Sequence, residues 1–212
     1  FVLMNQNNGQ VLALVGGRGE KEGSLTLNRA TRTLRQPGST FKVLSTYLPA
    51  LDNAGMTLAT VQDDAPYKYP GTNTTVNNWR RGVYNGLTTL REAIWNSNNI
   101  VTVKTLEQIT PQLGYSYLMK LGFTSIVDSV TTEDGKVHSD INLPMGLGGL
   151  TYGVKNLELT SAFASIANNG IYTEPTLYTQ IYDHNGKLII DNTPTTSKVM
   201  KESTAFLLTS AM

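Results

Sequence analysis

Cysteine is absent from the chain, which excludes disulfide bonds and thiolate metal sites. Histidine occurs only twice, and His138 and His184 lie in separate turn-like stretches. A metal shared between them, or a histidine-based catalytic triad, is therefore not expected. We expect neither a metal nor a cofactor.

Charge is also scarce and nearly balanced, with 17 Lys and Arg against 16 Asp and Glu and a net charge of +1. This balance gives no electrostatic reason to expect nucleic acid or an anionic membrane as the partner. No run of about 18 apolar residues occurs, so no transmembrane segment is predicted. The opening residues 1–4 are too short and lack the basic start of a signal peptide, so we expect any targeting segment to lie outside this chain. A hydrophobic content of 40% over 212 residues indicates a globular fold with a real core.

The most informative stretch is Arg-Gln-Pro-Gly-Ser-Thr-Phe-Lys at residues 35–42. Pro37 and Gly38 interrupt the chain, and the following residues 40–48 carry apolar side chains at helical spacing. The pattern predicts a helix with one buried face and with Ser39 in its first turn. Because residues three apart share a helix face, Lys42 is expected to lie alongside Ser39.

This arrangement suits a nucleophile. A serine hydroxyl needs an adjacent base, and a lysine can act as one when burial removes its proton. The unpaired N–H groups of a helix start would favour an oxyanion forming at Ser39. The alternative is that Ser39 is only a helix N-cap, which is the common role of serine at such a position.

A second polar element lies at residues 96–99, Asn-Ser-Asn-Asn, between the helical runs 90–95 and 100–108. Such a turn can present serine and asparagine side chains together. Ser97 could relay a proton, and Asn99 could hold a lysine or donate to a substrate carbonyl, because an amide both donates and accepts. The alternative is an ordinary polar loop between two helices.

Ser-x-x-Lys and Ser-x-Asn each occur once and in this order, which resembles the penicillin-recognising serine transferases. The wider sequence is similar to the transpeptidase domain of class A, bifunctional penicillin-binding proteins. The similarity covers nearly the whole chain. Besides the two motifs, the segments that carry it are the hairpin ending in Val15-Gly16-Gly17, Asn28-Arg29-Ala30, Thr89-Leu90-Arg91-Glu92-Ala93, Leu147-Gly148-Gly149, Gly153-Val154, Leu157-Glu158-Leu159-Thr160 and Ala167-Asn168-Asn169-Gly170-Ile171-Tyr172.

The resemblance implies an α+β fold of the penicillin-binding/serine β-lactamase-like type, with the active site in a cleft between a helical lobe and a mixed β-sheet lobe. Residues 1–36 would form the opening hairpin and loop of the sheet lobe. Residues 37–170 would form the helical lobe that holds both motifs. Residues 171–212 would form a hairpin and a final helix.

Roles follow from the resemblance, position by position. Ser39 would be the acylated nucleophile, Lys42 its base, Ser97 the proton shuttle to the leaving amine, and Asn99 an anchor for lysine and substrate, while Asn98 receives no role. The implied activity is that of a serine D,D-transpeptidase, which cross-links peptidoglycan stem peptides that end in D-Ala-D-Ala. β-Lactam antibiotics would acylate the same serine. The implied location is the extracytoplasmic face of the bacterial membrane, with the anchor and a glycosyltransferase domain outside this chain.

The sequence departs from the family in one respect, because the third motif, Lys-Thr/Ser-Gly, does not occur in it. In the family that motif lies on a strand that contributes an oxyanion N–H and binds the substrate carboxylate. We expect that strand either on a second polypeptide from the same parent or in a part of the parent protein outside this chain. Alone, the chain would expose the sheet edge beside the hairpin and would be inactive.

Two other functions share the first two motifs. A serine β-lactamase needs a deacylating base, for which Glu133 is the nearest candidate, although residues 132–136 lack the Glu-x-x-Leu-Asn form. A β-lactam-sensing receptor, acylated once as a signal, is not an enzyme and would be distinguished by the absence of turnover on stem peptide. A scaffold protein in which both motifs occur by chance is the remaining interpretation.

Overall fold

The computed structural model describes residues 1–21 and 23–212. The chain opens with the antiparallel strands β1 (Val2–Met4) and β2 (Val11–Leu14), as the sequence predicts. A single parallel bridge joins Gln10 to Thr176 and ties this hairpin to the last third of the chain. The short strand β3 (Leu34–Arg35) leads directly to the serine motif.

The helix that carries the serine motif changes its geometry along its length. It begins as a 3₁₀ turn (Gly38–Thr40), opens into a π-helix (Val43–Tyr47) and ends as α1 (Leu48–Asp52). The helix predicted over residues 40–48 is therefore confirmed, but its middle has π geometry in place of α geometry. Pro49 has no N–H with which to bond the carbonyl four residues earlier. The amide of Leu48 bonds to the carbonyl of Val43, five residues earlier, as in a π-helix.

The apolar face of this helix is buried as predicted. Phe41, Leu44 and Leu48 are fully buried and belong to the main hydrophobic core. The ring of Phe41 meets the ring of Phe123 edge to face at 5.3 Å. Contacts of this kind fix the helix in the centre of the molecule.

Short strand pairs follow this helix. β4 (Val61–Asp64) pairs with β7 (Gly86–Thr89), and β5 (Tyr67–Lys68) pairs with β6 (Thr75–Val76), all antiparallel. The buried carboxylate of Asp64 accepts hydrogen bonds from the side chain of Asn78 at 2.8 Å and from the amide of Asn85 at 2.9 Å. These bonds fix the loop that follows β6.

Three helices complete the first half of the chain: α2 (Leu90–Trp95), α3 (Asn99–Ile109) and α4 (Pro111–Lys120). Both helices predicted on the two sides of residues 96–99 are confirmed. α3 is buried on most of its surface. Gly114 lets α4 approach the π-helix closely, because a Cβ atom there would lie 2.4 Å from the carbonyl oxygen of Ser45.

The second half brings distant sequence back to the serine motif. β8 (Val130–Thr131) and β9 (Val137–His138) form a small hairpin, and a 3₁₀ helix follows at Leu143–Leu147. β10 (Val154–Lys155) then pairs with β3 and is followed by α5 (Asn156–Ala167). Val154 and Lys155 are thus in a strand, and the helix begins at Asn156.

The remaining elements are β11 (Ile171–Thr173), which pairs with β14 (Thr196–Lys198), the hairpin of β12 (Gln180–Tyr182) and β13 (Leu188–Asp191), and α6 (Glu202–Ala211). The predicted hairpin and final helix are confirmed. The architecture is α+β. None of the helices in the described part of the chain is long and apolar enough to span a bilayer.

Candidate active site

Lys42 is the centre of the candidate site. Its side chain is buried, and its Nζ donates three hydrogen bonds: to the backbone carbonyl of Ser97 at 2.6 Å, to the Oγ of Ser97 at 2.9 Å and to the Oδ1 of Asn99 at 2.5 Å. The structure therefore joins the two sequence motifs through one lysine. All three acceptors are neutral, so no carboxylate among them favours the charged form of Lys42.

Burial shifts the protonation of this lysine. Because desolvation penalises the ammonium form, the pKa of Lys42 falls from 10.5 to about 8. A substantial neutral fraction is then present near neutral pH, and a neutral amine can accept a proton. This electrostatic property is the one that the sequence argument required of a lysine base.

The turn that carries Ser97 has an unusual backbone. Ser97 adopts φ +48°, in the left-handed region that side chains other than glycine seldom occupy. Asn98 holds the turn on both sides. Its backbone amide donates to the carbonyl of Ala93, and its side chain, as the N-cap of α3, accepts the amide of Val101 at 2.9 Å. The turn thus directs both the carbonyl and the hydroxyl of Ser97 toward Lys42.

Asn99 is the first residue of α3 and is held at three points. Its Nδ2 donates to the carbonyl of Asn77 at 2.6 Å, while its backbone amide donates to the Oδ1 of Asn78 at 3.0 Å. Its Oδ1 therefore remains directed to Lys42. Asn77 and Asn78 were not singled out from the sequence, because asparagines in a loop carry no signal of their spatial partners.

Ser39 lies in the exposed 3₁₀ turn at the start of the same helix that buries Lys42. Lys42 follows three residues later, beyond this turn; its Nζ donates to Ser97 and Asn99, and within the described residues no hydrogen bond joins it to Ser39. The N-cap of this turn is Pro37, not Ser39. The interpretation of Ser39 as a helix cap therefore does not describe its position.

Residues 148–155, called here the flanking segment, run beside the serine motif. β10 within it pairs with β3, and Leu150 exchanges two hydrogen bonds with the side chain of Gln36. Gly148 and Gly153 lie so close that a Cβ atom on either would come within 2.4 Å of backbone atoms of Gly38 or Arg35. The flanking segment thus supports the loop that leads to Ser39.

Two cavities adjoin these elements. One, of about 190 Å³, borders the Ser97 turn, and its lining is rich in asparagine; it is formed by Asn78, Trp79, Arg80, Val83, Asn85, Asn96 and Asn98. The other, of about 610 Å³, lies between the flanking segment and Gly38, and includes Tyr69, His138 and Asp140 in its wall. Together they border the serine motif and the Ser97 turn.

The remaining candidate groups lie apart from the lysine. Glu133 is exposed in the turn between β8 and β9. His138 lines the larger cavity, whereas His184 lies in the exposed turn between β12 and β13. Within residues 1–21 and 23–212 there is no group of three His, Asp or Glu side chains placed to hold a metal ion.

Known proteins are similar to this chain in sequence over nearly its whole length. A family model described as the penicillin binding protein transpeptidase domain matches residues 1–212. Penicillin-binding protein 1A of Streptococcus pneumoniae is 32% identical over 220 residues, covering 99% of this chain and 28% of that protein. Penicillin-binding protein 1F of Bacillus subtilis is 35% identical over 208 residues, covering 98% and 26%. The chain thus spans about a quarter of the length of these relatives.

Solved structures agree in fold. The PonA1 protein from Mycobacterium tuberculosis in complex with penicillin V has a TM-score of 0.81 at 26% identity, covering 100% of this chain and 54% of that one. The penicillin G acyl-enzyme complex of penicillin-binding protein A from the same organism also has a TM-score of 0.81, at 22% identity, covering 100% and 55%. The fold is therefore the penicillin-binding/serine β-lactamase-like fold that the sequence resemblance implied. The chain belongs to the penicillin-binding protein transpeptidase family, in its class A branch.

Proposed function

We propose that the chain forms most of the active site of a serine D,D-transpeptidase that cross-links peptidoglycan stem peptides. Ser39 attacks the carbonyl carbon of the D-Ala-D-Ala amide. A bond forms between the serine Oγ and that carbon, the C–N bond breaks, and D-alanine leaves. An amine from a neighbouring stem peptide then attacks the acyl-enzyme, which forms the cross-link and frees Ser39.

The observation that carries this proposal is the environment of Lys42. A buried lysine with its pKa lowered to about 8 can take the proton of Ser39 as the serine attacks. Its hydrogen bonds to Ser97 and Asn99 hold the amine in place while it does so. A lysine serving only as a surface charge would be neither buried nor desolvated.

Ser97 provides the second proton transfer. Its hydroxyl, 2.9 Å from the Nζ of Lys42, can accept the proton from the lysine and donate its own to the departing nitrogen. The leaving amine thus departs protonated, and the proton lost by Ser39 is accounted for. Asn99 keeps the lysine oriented and contributes an amide side chain at the edge of the site.

The site is proposed to be completed by the strand of the parent protein that carries the Lys-Thr/Ser-Gly motif, whether on this polypeptide or on a second one. That strand would supply an oxyanion N–H and bind the terminal carboxylate of the stem peptide. Without it, the developing negative charge loses a donor, which typically costs about 10²- to 10³-fold in rate. We therefore expect the chain to be inactive alone.

The structure gives less support to a β-lactamase. Glu133, the candidate for its deacylating base, is exposed in a hairpin turn. Asp140 lines the cavity beside Gly38, but its carboxylate already accepts the amides of Val127 and Thr151 and the hydroxyl of Thr151. An acyl-enzyme on Ser39 should therefore persist against water.

The biological setting is proposed from the relatives. Solved relatives include a penicillin G acyl-enzyme complex and a penicillin V complex, so β-lactams are the proposed inhibitors of this site. We place the chain at the extracytoplasmic face of the bacterial membrane, where peptidoglycan is assembled. A glycosyltransferase domain and a membrane anchor in the parent protein remain part of this proposal.

The test is intact-mass spectrometry after addition of benzylpenicillin, with peptide mapping and a time course. The sample contains this chain together with the polypeptide that carries the third motif. We expect one adduct on Ser39 that lasts for hours, lost in Ser39→Ala and retained in the matched control Thr40→Ala, whose exposed hydroxyl lies in the same turn. Rapid drug hydrolysis without an adduct would favour a β-lactamase. Neither adduct nor hydrolysis would overturn the proposal.

An adduct alone is also compatible with a β-lactam receptor. Turnover on a D-Ala-D-Ala stem peptide separates the two functions, because a receptor releases no D-alanine. We expect release of D-alanine that depends on Ser39 and on an acceptor amine for cross-linking.

A further inference from the structure

The side chain of Gln36 takes the place of a missing backbone bond. β3 and β10 pair through Arg35 and Val154, but Pro37 has no N–H with which to continue this ladder toward Ser39. The Gln36 amide provides the continuation: its Nε2 donates to the carbonyl of Leu150 at 2.6 Å and its Oε1 accepts the amide of Leu150 at 2.8 Å. This reciprocal pair imitates a strand contact just before the nucleophile.

A second contact lies on the other side of Pro37. Gly148 adopts φ +75°, and a Cβ atom there would lie 2.4 Å from the carbonyl oxygen of Gly38 and 2.5 Å from its nitrogen. The two backbones are therefore packed directly on one another, immediately before Ser39. Any movement of the flanking segment would be transmitted to the 3₁₀ turn that carries the serine.

The flanking segment is itself held by the carboxylate of Asp140. The amide and hydroxyl of Thr151 each donate to the Oδ1 of Asp140 at 2.7 Å, and the Oδ2 of Asp140 accepts the amide of Val127 at 2.9 Å. Asp140 is almost completely buried, so these bonds are protected from competing water. Gln36 thus connects the loop that leads to Ser39 with a flanking segment that is itself held by Asp140.

We propose that Gln36 is a positioning residue for acylation: its amide pair with Leu150 holds Ser39 in register with Lys42 and Ser97. The inference rests on the proposed function. Ser39 lies in a short exposed turn, whereas Lys42 is buried in the core, so the backbone around Ser39 is the part of the site that needs a support of its own. A misplacement of about 1 Å at a reacting atom can cost about 10²-fold in rate.

The test compares Gln36→Met with Gln62→Met in the protein completed by the third-motif polypeptide. Methionine keeps the length of glutamine but removes both hydrogen bonds. Gln62 is a matched control, since its amide donates to Gln108 near the far end of α3. We expect Gln36→Met to lower the rate constant for acylation by benzylpenicillin roughly 10- to 100-fold, with unchanged dissociation constant of the non-covalent complex. Gln62→Met should change neither.

A second variant gives a readout that a merely structural role would not move. In Gln36→Glu an ionised carboxylate would face the carbonyl of Leu150, whereas a protonated one could donate to it as the amide does. The ratio of the Gln36→Glu rate to the wild-type rate should therefore rise as the pH falls toward about 4, the ordinary range of a glutamate. The same ratio for Gln36→Met should not depend on pH.

The outcomes are distinguishable. If the wild type and Gln36→Met are acylated equally fast, the positioning inference is overturned and the proposed function is left intact. An effect confined to the dissociation constant also overturns it. Wild-type protein that is never acylated removes the proposed function and this inference with it. Should Gln36→Met not fold, the Gln36→Glu ratio decides, and a ratio independent of pH overturns the inference.

Discussion

The amine of Lys42 lies 2.9 Å from the hydroxyl of Ser97, although 55 positions separate them in the sequence. The contact is possible because the helix that carries Lys42 passes through the core beside the N-terminus of α3. It joins a buried amine to a hydroxyl in the turn between α2 and α3.

The first prediction concerns pH. In the proposed mechanism the neutral form of Lys42 is the base, and burial lowers the pKa of Lys42 to about 8. The acylation rate should therefore fall about tenfold for each pH unit below that value and level off above it. The check is the rate constant for acylation by benzylpenicillin across about two pH units on either side of the pKa. A rate that does not change with pH over this range would show that Lys42 is not the base.

The second prediction concerns Asn99, whose replacement should shift the pH at which the acylation rate is half-maximal, called here the midpoint. In Asn99→Asp a carboxylate would replace the neutral oxygen that lies 2.5 Å from the Nζ of Lys42. An adjacent negative charge stabilises the ammonium form, so the pKa of Lys42 should rise and the pH profile should shift upward by about 1 to 3 units.

Asn99→Leu is the matched control for this change. It also removes the amide, but it brings no charge and should not move the midpoint upward. The measurement is again the pH dependence of acylation. Equal midpoints for Asn99→Asp and the wild type would contradict the assignment of the titration to Lys42.

The third prediction separates the backbone of Ser97 from its hydroxyl. Ser97 adopts φ +48°, which costs a residue other than glycine about 1 kcal/mol. Ser97→Gly should therefore have a higher free energy of unfolding than Ser97→Ala by about that amount. Both variants lose the hydroxyl, so both should slow proton transfer to the leaving amine by a similar factor.

Denaturant unfolding and release of D-alanine test this third prediction together. Turnover at the wild-type rate in either variant would mean that the hydroxyl is not the proton relay. Equal stability of the two variants would mean that the left-handed backbone is not strained.

The sequence predicted those features that depend on local periodicity and on short motifs. The helix after Gly38, the turn at residues 96–99 and the helices on both sides of it are local in origin, since apolar spacing and polar interruption define them. The fold class followed from a resemblance spread over the whole chain. Ser39, Lys42, Ser97 and Asn99 were named from the same motifs, and the structure joins the last three by hydrogen bonds.

Features that depend on tertiary contacts could not be predicted. The π-helix at Val43–Tyr47 packs closely against Gly114 of α4, and nothing in its own residues indicates that contact. Gln36 was part of a recognised motif, but nothing local indicates that its partner is Leu150. Asn98, given no role from the sequence, proves to be the N-cap of α3 and so holds the Ser97 turn.

The last prediction concerns Gly148, whose contact with Gly38 leaves no room for a side chain. Gly148→Ala should be compared with Gly135→Ala. Gly135 has nearly the same positive φ, +77° against +75°, but nothing lies within 4 Å of its Cβ position. The two alanines thus bear a similar backbone strain, and only the one at residue 148 meets the backbone of Gly38. The expected difference in the free energy of unfolding is about 1 to 3 kcal/mol, the usual cost of overpacking.

Acylation by benzylpenicillin supplies the second readout for the same pair. Because the displaced backbone immediately precedes Ser39, Gly148→Ala should slow acylation by about 10-fold or more, while Gly135→Ala should acylate like the wild type. Measuring the acylation rate constant under conditions in which both variants are fully folded separates misplacement from unfolding. If Gly148→Ala is destabilised but is acylated at the wild-type rate, the flanking segment stabilises the fold without setting the position of the serine.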